Sequence, residues 1–146
     1  MRYRGKARCV PVLLGLVVLL PGCAKQGWLD TYPVKGTILV DGRPAKEVVV
    51  SFHHKEDTGN RPYLPSGRTN ERGEFVLSTF AEGDGAPACE YDVTIEWPVR
   101  YNPISTLWEG DKLNGRYSNQ TKPAATVTIE KKRQELAPFE LKSGGL

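Results

Sequence analysis

Cys89-Glu90-Tyr91-Asp92-Val93-Thr94-Ile95-Glu96-Trp97 alternates between two phases without a miss. Successive strand residues face opposite sides of a sheet, so a period of two predicts a strand with one buried face. Cys89 shares the phase of Tyr91, Val93, Ile95 and Trp97, which points it at the core as a small hydrophobe. Glu90, Asp92 and Glu96 take the solvent phase.

The flanking sequence repeats this pattern in shorter pieces. Tyr32, Val34, Ile38 and Val40 share one face, and Asp41-Gly42-Arg43-Pro44 then supplies turn residues. Val48, Val50 and Phe52 continue a second strand. Thr69-Asn70-Glu71-Arg72-Gly73-Glu74-Phe75 is a turn feeding a strand over residues 75–80, with Gly73 expected at positive φ. Glu82-Gly83-Asp84-Gly85-Ala86-Pro87 turns the chain into the Cys89 run. Ala125, Val127 and Ile129 mark a later strand, and a last one lies around residues 136–141. The 15 glycines and 11 prolines interrupt every stretch long enough for a stable helix. The expectation is an all-β domain, a two-sheet sandwich of about seven strands.

The first residues carry a different signal. Arg2, Arg4, Lys6 and Arg8 form a basic block without an acid, and residues 10–20 are apolar without a break. That run matches a signal-peptide core and is too short to cross a bilayer as a helix, which needs about 20 apolar residues. Pro21-Gly22 ends any helix, and Leu20-Pro21-Gly22-Cys23 resembles the lipobox of bacterial lipoproteins, whose cysteine sulfur receives a diacylglyceryl group. The organisation read from this is a lipoprotein signal peptide over 1–22, a lipidated tether over 23–31, a β-sandwich over 32–142 and a flexible tail over 143–146. Acyl chains on Cys23 would hold the protein at a membrane, each buried CH₂ contributing about 0.8 kcal/mol. The predicted location is the cell envelope. Asp after the lipidated cysteine retains many such proteins at the inner membrane, so Ala24 favours the outer one.

Removal of residues 1–22 takes four of the 20 Lys and Arg, leaving 16 against 17 Asp and Glu, a formal charge of −1. A near-neutral chain of 124 residues fits one domain and gives no electrostatic case for nucleic acid. Lys131-Lys132-Arg133, the one strong basic run, lies between strand-like segments and reads as a solvated hairpin end. Cys9 leaves with the signal and Cys23 is thioether-linked, so Cys89 has no partner within the chain for a disulfide.

The turns also carry a resemblance. The run from Tyr32 to Pro44, followed by Val48-Val49-Val50-Ser51-Phe52, resembles the opening of carboxypeptidase regulatory-like domains: a strand, a Gly-x-Pro turn and a second strand. Thr69-Asn70-Glu71-Arg72-Gly73-Glu74-Phe75 is similar to their Thr-Asp-x-x-Gly-x-Phe turn. Pro87-Ala88-Cys89-Glu90-Tyr91-Asp92-Val93 is similar to their Pro-x-Gly-x-Tyr-x-Val strand, with Cys89 where glycine is usual. With the lipobox and Gly115-Arg116-Tyr117, the arrangement resembles small transthyretin-like lipoproteins of planctomycete-type bacteria. The resemblance implies a seven-stranded prealbumin-like sandwich and little about activity, because these residues build the fold.

Candidate chemistry is sparse. His53 and His54 are adjacent on a strand and face opposite sides, so they do not chelate one ion from a regular strand. Glu82 and Asp84 sit in a Gly-rich turn, and no calcium loop, nucleophile elbow, phosphate loop or zinc-helix motif occurs. The enzymatic branch of the transthyretin-like fold, hydroxyisourate hydrolase, carries separated histidines, an arginine and a closing Tyr-Arg-Gly-Ser. Here the histidines are adjacent and the last residues are Lys142-Ser143-Gly144-Gly145-Leu146. No catalytic residue, cofactor or metal is therefore expected.

Residues 98–123 keep a binding role open, because they gather Tyr101, Trp108, Arg116 and Tyr117 in what reads as one long connection. Long connections are often binding loops, and Trp, Tyr and Arg dominate interface energetics. The competing reading has Trp108 and Tyr117 stapling a crossover onto the sandwich edge. Two functions follow: a binding or adhesion module for an envelope protein or polysaccharide, and a structural envelope component. A transthyretin-like hydrolase and a carbohydrate-binding module are the alternatives.

Overall fold

The computed structural model describes residues 29–55, 62–102, 104 and 107–144. The basic leader and Cys23 lie outside the described residues. Within them the chain is all-β, and no helix is long and apolar enough to cross a membrane.

Strands follow in the order β1 (Thr31–Tyr32), β2 (Val34–Val40), β3 (Arg43–Pro44), β4 (Val49–His54), β5 (Ser66–Arg68), β6 (Glu74–Val76) and β7 (Ala86–Pro87). Then come β8 (Glu90–Glu96), β9 (Pro98–Asn102), β10 (Leu107–Asp111), β11 (Ala125–Thr128), β12 (Gln134–Glu135) and β13 (Phe139–Leu141). One wall of the sandwich has the order β11-β8-β4-β5, antiparallel throughout. The other is organised on β2, which pairs antiparallel with β6 and β3, and parallel with β12 and β13. Several strands are short pieces, so the described residues contain 13 where the sequence reading counts about seven.

Alternation decides what each wall buries. Val34, Ile38 and Val40 from β2 meet Val50 and Phe52 from β4 and Tyr91, Val93 and Ile95 from β8, and all are buried. Phe75, Leu77 and Leu141 close the layer. Each large side chain removed from water contributes about 1.5–3 kcal/mol, enough to set strand register by the phase of its apolar residues. The Phe52 and Tyr91 rings meet edge to face, with centroids 5.8 Å apart. The Tyr91 hydroxyl donates to Pro87 O, four residues upstream, at 2.9 Å, in the manner of a tyrosine corner. Burial, with hydrogen bonds to Cys89 and Tyr63, pushes its pKa far above the ordinary phenol value. Cys89 is half-buried and packs against this core, on the side its phase predicts.

The turns follow their residues. Asp41 and Gly42 have φ of 51° and 77°, the left-handed pair of a type I′ hairpin joining β2 to β3. Gly73 has φ of 72°, and a Cβ there would stand 2.6 Å from Ile38 O. Thr69 is buried because its hydroxyl donates to Ala45 O at 2.6 Å and accepts from Val48 N at 2.8 Å.

Three features depart from expectation. The last strand is split into β12 and β13 around Ala137-Pro138, since proline has no N–H for the ladder. Residues 131–133 are exposed but do not end a hairpin, because β12 leaves β11 and joins β2 in the opposite wall. Residues 98–111 form a hairpin, β9 against β10, as a separate two-stranded sheet. Pro98 discourages a strand assignment from sequence, yet it sits at the first strand position, where a missing donor is tolerated.

Candidate functional site

The hairpin rearranges the four residues grouped as one binding loop. Tyr101 and Trp108 stand opposite one another in the β9–β10 ladder, and their side chains lie outside the described residues. Arg116 and Tyr117 are not on the hairpin. Tyr117 O accepts from Ile95 N at 2.9 Å, which ties its segment to β8. The Tyr117 hydroxyl accepts from Lys142 N at 3.0 Å and lies 3.4 Å from Lys142 O. Tyr117 is thus a staple between β8 and the residues after β13. Arg116 is exposed, with its guanidinium against Gly144.

Asp111 builds the foot of the hairpin. Its Oδ1 accepts from Trp97 N and Leu113 N, both at 2.9 Å, and its Oδ2 accepts from Gly115 N at 2.9 Å. Leu113 is fully buried, so one carboxylate joins the hairpin base to a core plug. Lys112 N donates to Trp97 O at 2.8 Å, and its ammonium lies 4.5 Å from the Trp97 ring centroid.

Trp97 stands at this foot, half-buried. With Val40, Asp41, Arg43, Pro44 and Ser143 it lines an open cleft of about 500 Å³. Asp41 is held by the Ser143 hydroxyl, and its N–H donates to Leu141 O at 2.9 Å. Trp97 Nε1 is buried without a hydrogen-bond partner, the one such side-chain atom among the described residues. The sequence places Trp97 on the core side by phase, and Trp97 does pack against the core, half-buried.

The histidines diverge as their adjacency requires. His54 packs on Tyr63, with centroids 4.9 Å apart. His53 lies on the outer face of β4, opposite Asp92, with Nε2 2.8 Å from Thr94 Oγ1 and Nδ1 2.9 Å from Gln120 Nε2. Gln120 donates to Nδ1 in this arrangement, which puts the ring proton on Nε2, directed at Thr94. A ring in that tautomer cannot take the Thr94 proton. Burial, then the neighbouring His54, push the His53 pKa below the ordinary value of 6.5, while Asp92 pulls it upward. These contacts bury Thr94, the one outer-phase residue of β8 that is withdrawn from water.

Asp84 and Asp92 are likewise engaged. Asp84 accepts from Thr79 N at 2.7 Å, Phe80 N at 3.0 Å and Ala81 N at 3.1 Å. Asp92 accepts from Thr126 Oγ1 at 2.8 Å and lies 3.9 Å from Lys55. No group of three or more His, Cys, Asp or Glu among the described residues could hold a metal ion. No protein-family model matches the chain, and no curated protein matches it.

Proposed function

We propose that this chain is an envelope lipoprotein whose β-sandwich is a non-catalytic binding module, displayed at a membrane surface through acylated Cys23. The observation that carries the binding half is the β9–β10 hairpin, which pairs with neither wall and exposes Val99 (55 %) and Ile104 (94 %). Apolar side chains held in water on an element outside both walls favour a contact role for it. An envelope protein or polysaccharide is the partner class this reading assigns. The non-catalytic half is supported by His53, whose two ring nitrogens are both engaged, and by Asp84 and Asp111, whose oxygens accept backbone N–H groups.

The anchor half is supported by the basic block, the short apolar run and Leu20-Pro21-Gly22-Cys23. The type I′ turn at Asp41-Gly42 and the left-handed Gly73 are compatible with a carboxypeptidase regulatory-like, transthyretin-like architecture, which we include in the proposal. Metabolic labelling with a palmitate analogue tests the anchor. Wild-type protein should be labelled and sediment with membranes, whereas Cys23→Ser should be unlabelled and released. Membrane retention of an unlabelled Cys23→Ser protein would overturn it.

A further inference from the structure

We propose that the end of the sandwich where the chain enters is a surface for phospholipid headgroups, with Lys131 and Arg133 as its phosphate contacts, so that the β9–β10 hairpin is held at the membrane-distal end. The proposal rests on the reading of Cys23 as an acylated anchor and adds to it which face of the domain meets the bilayer. Six residue steps separate Cys23 from Leu29, the first described residue, a link of at most about 20 Å. The part of the domain beside that link is therefore kept within reach of the headgroups.

Strand register fixes which part that is. β1 pairs with β7, Tyr32 opposite Ala86, so β2 and β8 both start beside the entry. β4 ends there, with His54 opposite Tyr91, and so does β11, with Thr128 opposite Glu90. Residues 129–133 then cross the same end to β12, where Gln134 stands opposite Val34 and its N–H donates to Pro33 O at 2.9 Å. The run Lys131-Lys132-Arg133, which ends no hairpin, thus lies at the entry. β8 carries the chain about 23 Å away over its seven residues, to Trp97 and the hairpin. At that far end Trp97 and Val40, the last residue of β2, line one cleft.

The charges at the entry select the kind of lipid contact. Lys131, Lys132 and Arg133 are all exposed. Three carboxylates of this end are already matched: Glu90 with Lys55 at 3.7 Å, Glu130 with Lys132 at 2.5 Å and Glu135 with Lys35 at 2.9 Å. Lys131 and Arg133 pair with no acid among the described residues. Asp30 and Glu82 are exposed at the same end, Glu82 beside Gly83, which borders a small cleft with Pro33 and Arg133. The surface is therefore close to neutral, which suits zwitterionic headgroups, whose phosphates meet the two cations and whose ammonium groups meet the two acids. A guanidinium donates two parallel hydrogen bonds to a phosphate, and a lysine ammonium reaches it as a point charge. Leu29 and Leu64, each about half exposed, add apolar surface here, Leu64 following Tyr63, whose ring packs on His54.

The test reads both ends at once in the mature acylated protein, reconstituted into phosphatidylcholine nanodiscs doped with a lipid that carries gadolinium on its headgroup. Paramagnetic relaxation of the Lys131, Lys132 and Arg133 amides should exceed that of the Val99 and Gly110 amides in the hairpin at least fivefold. Lys131→Gln/Arg133→Gln should reduce this contrast at least twofold at an unchanged melting temperature. Equal relaxation at the two ends, faster relaxation of the hairpin, or full contrast in the double variant would overturn the proposal while leaving the anchor in place. A chain without acyl mass that stays off the nanodiscs would instead overturn the anchor reading, and this proposal with it, so the two failures are distinguishable.

Discussion

The walls of the sandwich and the β9–β10 hairpin use the same ladder chemistry, yet they differ in what lies beside and beneath their strands. β8 has β4 on one edge and β11 on the other, and it buries Tyr91, Val93 and Ile95. β9 has β10 alone, and its Val99 is half in water. A two-stranded ribbon is marginal by itself, whereas strands between neighbours over a shared core open only with the whole domain. Rigidity therefore belongs to the walls. The hairpin, joined to them through Asp111 and the Trp97–Lys112 rung, exposes Val99 and Ile104.

The sharpest way to break this contrast is to strain a wall. Gly73→Val adds a side chain at φ of 72°, with its Cβ 2.6 Å from Ile38 O, between the turn and β2. It should destabilise the domain by about 1–3 kcal/mol in denaturant titration. Glu71→Ala, which removes an exposed ion pair with Lys46 from the same turn, should leave the midpoint unchanged. Equal shifts in the two variants would mean that the turn is not held against β2.

An intermediate effect is expected where the segment after the hairpin meets the outer face of β4. The folded His53 pKa lies below its ordinary value of 6.5, so the unfolded chain binds the proton more readily. The contribution of neutral His53 is present above 6.5 and is lost as pH falls through the lower folded value. Thermal melts at about pH 7.5 and about pH 5 should show a loss of stability that His53→Gln reduces. A wild-type chain whose pH slope matches that of His53→Gln would break the assignment of this contact.

The smallest effect belongs to the hairpin. Val99→Ser changes a residue that is 55 % exposed, on a two-stranded sheet separate from both walls. Its stability should stay within about 0.5 kcal/mol of wild type, while capture of an envelope partner falls. A loss as large as that of Gly73→Val would show the hairpin to be part of the cooperative body.

The unbroken alternation from Cys89 to Trp97 made the central wall legible, because a buried face rewards one phase only. Asp41-Gly42 and Gly73 were legible because few residues tolerate left-handed backbone. The candidate site was legible only in part. Tyr101, Trp108, Arg116 and Tyr117 share a composition, and composition does not tell a hairpin strand from a segment stapled to a wall. What separates them is a carboxylate at Asp111 folding back on Trp97 N, and a Tyr117 hydroxyl reaching Lys142 across 25 residues. Neither contact has a local sequence signature.

By itself, then, the sequence determined the all-β class, the buried phase of the main strands and the left-handed turns, since each follows from interactions within a few residues. Tertiary structure alone decided that β12 crosses to the opposite wall, that β9 and β10 pair only with each other, and that Trp97 and Arg43 line one cleft. Those arrangements depend on which distant strand edges hydrogen-bond, and period-two patterning specifies a strand's faces without specifying its edges.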